Sequence, residues 1–107
     1  MLKKIIIYWR DIPSQVLVQK GRVRKKAPLS PRFIEAIDRA AMRAGKGSSD
    51  AYIAEWRRET TKVKSDEDMQ VLADAEAAKL EAGYSKDDLK ALIRNNGFSR
   101  AADEEDE

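Results

Sequence analysis

The stretch IIIYWRDIPSQVLVQKGR, Ile5 to Arg22, decides how this chain is read. Its opening is β-branched and aromatic, the composition of a strand, and Lys3–Arg10 is predicted as β. The run is apolar without alternation, which predicts a strand covered on both faces. Arg10-Asp11-Ile12-Pro13 then breaks it. Asp11 can accept from a nearby backbone N–H, and Pro13 fixes φ and offers no donor, so the corner reads first as a turn. Ser14–Lys20 follows as a second strand, with Val16 and Val18 on one face and Leu17 on the other. Gly21 admits the positive φ of a tight reversal. Arg22–Leu29 supplies a short third strand, Val23 inward and Arg24 outward, ended by Pro28.

Beyond Leu29 the period changes to that of helices. Ser30 and Pro31 mark an N-cap and first helical position, with Leu29 and Ile34 placed as a staple. Phe33, Ile37, Ala40, Ala41 and Ala44 fall on one face, and Gly45 stops the helix. A second helix is predicted from about Asp50 to about Thr60, capped by Ser49, with Tyr52, Ile53 and Trp56 as its stripe. TTKVKS, Thr60–Ser65, then reads as a connector. Ser65 and Asp68 resemble a capping box for a third helix reaching about Ala82, with Met69, Leu72, Ala73 and Leu80 inward. Ser85 caps a fourth, with Tyr84 and Leu89 as staple and Leu92 and Ile93 buried. Gly97 is its C′ residue, where Phe98 can fold back on Ile93. The expected fold is α+β: an N-terminal antiparallel hairpin or three-stranded sheet packed against about four helices. A two- or three-stranded sheet is marginal alone, so residues 1–100 are read as one domain. It has a basic β+α part, 1–64, and an acidic helical part, 65–100. The composition of 101–107 predicts a disordered acidic tail.

With 107 residues the chain has room for one modest core, and a charged fraction of 37% predicts a heavily charged surface over it. Residues 1–64 carry sixteen Lys/Arg and six Asp/Glu, a balance of +10; residues 65–107 carry five and thirteen, a balance of −8. The near-neutral total of +2 thus hides two opposed halves. Either they neutralise each other by packing, or the basic half meets an anionic partner while the acidic tail competes for it. The chain has neither His nor Cys. That removes the usual zinc ligands, Cys/His and Ser/His nucleophiles, and disulfides. No apolar run approaches the ~18 residues that would span a bilayer. No small-residue cleavage site follows the first apolar stretch, so a signal peptide is not expected. A cytoplasmic protein is expected, without catalytic residues, metal or cofactor.

Three places invite a functional reading beside a structural one. Arg10 and Asp11 either solvate a corner or grip a partner's polar group, since Arg presents a fork to carboxylate or phosphate. In Lys20–Lys26, KGRVRKK, alternate residues Arg22, Arg24 and Lys26 share a face of a ribbon. With Lys20 and Lys25 they either keep an edge soluble or track a phosphate backbone, with Tyr8 or Trp9 available for stacking. Trp56, beside Arg57 and Arg58, is either core or an interface anchor. Asp66, Glu67, Asp68, Asp87 and Asp88 open helices, where the dipole favours them, and lack the pattern of a calcium loop.

IIIYWRDIPSQVLV, GR, RFIEAIDRAAMRAG and SSDAYIAEWRR together resemble the small bacterial virulence-factor family, whose domain occurs in the staphylococcal conserved virulence factor C. The resemblance covers about Ile5 to Arg58. It implies no reaction and no catalytic residues. It implies an accessory module associated with one-carbon, folate-linked methyl-transfer enzymes. The expected function is therefore a non-enzymatic protein-docking module, with Trp9, Arg10, Asp11, Arg22, Arg24, Trp56 and Arg57 at the contact. The alternative is nucleic-acid binding through Lys20, Arg22, Arg24, Lys25 and Lys26, with the acidic tail as an internal competitor.

Overall fold

The computed structural model describes residues 2–99. Strand β1 (Leu2–Trp9) turns through Arg10 and Asp11 into β2 (Ile12–Lys20), which turns at Gly21 into β3 (Val23–Pro28). Helix α1 (Pro31–Arg43) and the short α2 (Ser49–Ala54) lead into a fourth strand, β4 (Trp56–Val63). Helices α3 (Met69–Gly83) and α4 (Lys86–Arg94) complete the described chain. The sheet is antiparallel throughout, in the order β3-β2-β1-β4. The α+β class is as expected; the fourth strand is not. The acidic tail expected at 101–107 lies outside the described residues.

β4 corrects the second helix and the connector after it. Tyr52, Ile53 and Trp56 have helical spacing, but α2 ends at Ala54 and Trp56 already pairs with Trp9. Thr60, Thr61 and Val63 are β-branched and suit a strand. β1, apolar on both sides of its pleat, offers them an open edge. The N-cap of α2 is Ser48, one residue before the expected Ser49. The N-cap of α3 is Asp68, which accepts from the N–H groups of Gln70 and Val71, while Ser65 accepts from Glu67 outside the helix. The capping box belongs instead to α4, where Ser85 and Asp88 bond each other's backbone N–H. Ser30 stands at the N-cap of α1, but its hydroxyl and N–H both donate to Glu81 of α3. Arg32 donates to the same residue.

The pleat sorts β1 and β2. Leu2 and Ile6 face the helices with Val16 and Val18 of β2, joined by Ala27 of β3. Against them lie Phe33, Ala36, Ile37, Ala40 and Ala41 of α1, Ala73 and Ala77 of α3, and Leu89 and Leu92 of α4. This core draws on both the basic and the acidic half. Val23, expected inward, is 53% exposed at the start of the edge strand. Ile34, expected in a staple, is also exposed.

The chain's last turn closes onto the β1–β2 turn. Arg10 has φ +54, and the loop that meets it contains Asn96 at φ +60 and Gly97 at φ +96. Phe98 lies against the Arg10 guanidinium, 4.5 Å from ring centroid to Cζ. A Cβ on Gly97 would stand 2.9 Å from Cζ3 of Trp9, which is wholly buried. Gly97→Ala therefore meets both a disfavoured φ and a packed indole. Urea unfolding is expected to show a loss of about 1–3 kcal/mol. Gly47→Ala has open space and ordinary φ; it serves as the control, unchanged or up to about 1 kcal/mol more stable.

Candidate functional site

Two regions picked out in the sequence converge in space. The β1–β2 turn, the end of α2, the start of β4 and the turn after α4 meet around Trp9. Its indole N–H donates to the Tyr52 carbonyl at 2.8 Å, and its ring stacks on Tyr52, which meets Trp56 edge-on. The Arg10 guanidinium donates to the Asn96 carbonyl at 2.8 Å and pairs with Glu55, Nε lying 3.3 Å from Oε1. That Nε is buried and off-angle for a hydrogen bond, so Glu55 meets it as charge alone. Arg57 donates through Nε to the Arg10 carbonyl and through Nη2 to Asp11 Oδ1, both at 2.8 Å. It also binds Glu59 and lies over the Tyr8 ring. The second Asp11 oxygen accepts the Ser99 N–H at 2.8 Å and its hydroxyl.

This knot occupies most of the residues expected at a protein contact. Trp9 lies in the core, and Arg10, Asp11, Trp56 and Arg57 are engaged within the chain. Partial burial pushes the Asp11 carboxyl up, but the Ser99 N–H, the Arg57 guanidinium and the Ser99 hydroxyl outweigh it and hold it below its ordinary value. Burial, with the Glu59 charge, raises the Tyr8 phenol; burial, with the Asp11 charge, raises Tyr84. Both phenols are thus neutral at pH 7.

The opposite side of the sheet is arranged differently. Residues facing away from the helices fall into three rows across β3, β2, β1 and β4. The rows are Pro28, Gln15, Ile7, Arg58; then Lys26, Leu17, Ile5, Thr60; then Arg24, Gln19, Lys3, Lys62. Neighbouring strands stand about 4.8 Å apart and successive rows about 7 Å. Ile7, Gln15, Leu17, Arg24, Lys26 and Arg58 line a shallow depression of about 280 Å³ to which no helix contributes. Ile5 and Leu17 are 4% and 5% exposed, yet neither belongs to the main core. Long flanking side chains lay their stems over such positions and keep their charges in water.

No position in these rows is Asp or Glu. Lys3, Arg24, Lys26, Arg58 and Lys62 are all exposed, and none has an ion-pair partner among the described residues. Lys3 and Lys62 are directly paired across β1 and β4. Like charges directly opposite are destabilising. Of the predicted basic ribbon, Arg24 and Lys26 share this face. Arg22 sits in the turn beside it, and Lys20 and Lys25 fall on the other side of the pleat. Lys3, Arg58 and Lys62 were missed because the face exists only once β4 pairs with β1. The signal available was the Thr-Thr-Lys-Val run.

The chain matches the family model described as virulence factor over residues 7–93, and it belongs to that family. The match extends beyond the Ile5–Arg58 resemblance, taking in α3 and most of α4. No curated protein and no solved structure matches the chain.

The Asp11 anchor carries a pH dependence of definite sign. A carboxyl held below its ordinary value contributes its full stabilisation above the ordinary Asp range and loses it as pH falls through the lowered value. Asp11→Asn is expected to cost about 1–3 kcal/mol at pH 7. In paired urea titrations, the gap from the parent should narrow steadily below pH 4. A gap independent of pH would remove the charge of Asp11 from this account.

Proposed function

We propose that this chain is a non-catalytic binding module whose uncovered sheet face takes the phosphate backbone of a nucleic acid. The observation that carries the reading is Lys3 facing Lys62 on a sheet face without a single carboxylate. An edge kept soluble by charge needs only its edge strands charged, whereas Lys3 lies on the interior strand β1. An anion between Lys3 and Lys62 turns their repulsion into attraction for both. Arg24 stands in the same row, Lys26 in the next and Arg58 in the one beyond, so a strand laid across the face meets cations at each edge.

Backbone contact is favoured over base reading. No aromatic side chain stands in the three rows, and Trp56, the next position on that side of β4, is already engaged with Tyr52 and paired with Trp9, which leaves no free platform for stacking. The aliphatic centre is already covered. Recognition would be electrostatic and tolerant of sequence, with the acidic run Asp103–Glu107 competing for the same cations. Docking through Trp9, Arg10, Asp11, Trp56 and Arg57 has less support, because those groups are satisfied internally. The same engagement of Asp11 and Arg57 supports a non-catalytic role.

Fluorescence anisotropy with duplex and single-stranded oligonucleotides across a salt series tests the reading. Five phosphate contacts on duplex DNA predict a log–log salt slope between about −4 and −5. Lys62→Gln should reduce the magnitude of that slope by about 1. The same change should stabilise the fold by about 0.2–1 kcal/mol, because it relieves the repulsion with Lys3. Absence of binding at low salt, or a stabilised Lys62→Gln protein that binds undiminished, would reject the proposal.

The tail makes a separate prediction. A chain ending at Arg100 should bind the same oligonucleotides more tightly at low salt than the full chain. Equal affinities would leave the face intact as a site and exclude the tail as its competitor.

A further inference from the structure

A second surface of different character lies on the helical side. α1 and α4 pack side by side and leave a furrow of about 280 Å³ between them. α1 presents Arg32, Glu35, Ala36 and Arg39; α4 presents Lys86, Leu89, Lys90 and Ile93. Both sets are spaced i, i+3, i+4, i+7, the stripe a helix turns toward a single neighbour. The floor is apolar: Ala36 and Leu89 are buried and Ile93 half-buried. The rim is cationic. Arg32 is tied to Glu81, but Arg39, Lys86 and Lys90 are exposed and have no ion-pair partner among the described residues. Among the described residues Glu35 is the sole carboxylate lining the furrow.

We propose that this furrow docks a short amphipathic helix of a partner protein, with aliphatic residues on the floor and glutamates or aspartates against the rim. Charge selects the occupant. Three unpaired cations around one carboxylate favour an acidic segment and disfavour a basic one. Shape selects its form: two parallel stripes leave a groove for the ridge of a third helix. α4 has nine residues, about 13.5 Å, which sets the occupant at roughly two to three turns. The apolar floor separates this site from the sheet face, where the aliphatic centre is covered and the chain has only charge to offer. The inference does not rest on the nucleic-acid reading.

The test uses the full chain and a synthetic helical peptide of about 14 residues, with leucines at i and i+4 on an otherwise glutamate-rich face. Two analogues accompany it, one with lysine for each glutamate and one with serine for each leucine. Amide shifts and anisotropy are read at about 0.15 M salt, where loosely held surface charge is screened. The expected result is saturable binding that shifts the amides of Ala36, Leu89 and Ile93. Both analogues, and the K86E/K90E double variant with the parent peptide, should bind at least about tenfold more weakly. Lys86 and Lys90 are exposed, and an unchanged thermal melt confirms the variant is folded.

Equal binding by the serine analogue, undiminished binding to K86E/K90E, or shifts confined to Arg24, Arg58 and Lys62 would overturn the proposal. So would an occupant already present. Concentration-dependent broadening of the furrow amides without peptide would place a second copy there. Shifts of the same amides in a chain ending at Arg100 would place the acidic tail there.

Discussion

The turn between β1 and β2 is the constraint on which the rest depends. Two residues, Arg10 and Asp11, reverse the chain between Trp9 and Ile12, and Arg10 does so at φ +54. A non-glycine residue there costs on the order of 1–2 kcal/mol. The surroundings hold it on every side. The Arg10 N–H donates to the Glu55 carbonyl, its carbonyl accepts from Arg57, and the Asp11 N–H donates to the Gly97 carbonyl at 2.8 Å. The partners come from the end of α2, the start of β4 and the turn after α4. One strained turn thereby fixes where β4 begins and where the last helix ends. An Arg serves where Gly would be easier because its guanidinium fills the space between Trp9 and Phe98 and reaches Asn96 and Glu55. Gly97 supplies the complementary freedom, standing close enough to the indole that no side chain fits.

The first two strands, the Gly21 reversal, α1 and α4 were legible because each has a local cause. β-branched runs, a Ser-Pro start, glycine stops and a true capping box act within a few residues. β4 was not legible, because its cause is not local. Trp56, Arg57, Arg58 and Glu59 carry no alternation of apolar and polar residues, and Tyr52, Ile53 and Trp56 mimic a helical stripe. Thr60 and Thr61 become a strand because β1 leaves an edge to pair. The candidate site suffered the same blindness. Two of the five cations of the basic face, Arg24 and Lys26, could be read from the ribbon. Lys3, Arg58 and Lys62 join it only through register, which no window of sequence contains. The expectation that β1 is covered on both faces failed for a related reason: Ile5 and Ile7 face outward, and among the described residues no helix lines the depression on that side.

The opposition of the two halves is partly resolved by packing. Lys4 with Glu76 and Arg32 with Glu81 join the basic half to the acidic half at 3.1 and 3.3 Å. The remaining ion pairs lie within the basic half and engage three of its six carboxylates, Asp11, Glu55 and Glu59, in the knot around Trp9. Partly exposed pairs of this kind contribute little each, about 0–1 kcal/mol. Their larger effect is on what is left. The other three carboxylates, Glu35, Asp38 and Asp50, sit on α1 and α2, so with Asp11, Glu55 and Glu59 engaged around the turn the strands of the basic half have no further carboxylate to place on the uncovered face.

The pleat makes that separation unavoidable. Lys3-Lys4 and Arg57-Arg58 are adjacent basic pairs on neighbouring strands, and adjacent residues of a strand point to opposite faces. Lys4 and Arg57 turn toward the helices, where Glu76, Asp11 and Glu59 receive them. Lys3 and Arg58 are thereby turned to the bare side, where no carboxylate among the described residues pairs with them. A one-residue slip of β4 against β1 would exchange the two sets, taking Arg57 from Asp11 and setting it on the open face. The register is held by Trp56 against Trp9 at one end and Val63 against Leu2 at the other. The same pairing that builds the internal knot therefore assembles the unpaired cations, and neither arrangement can be altered without the other.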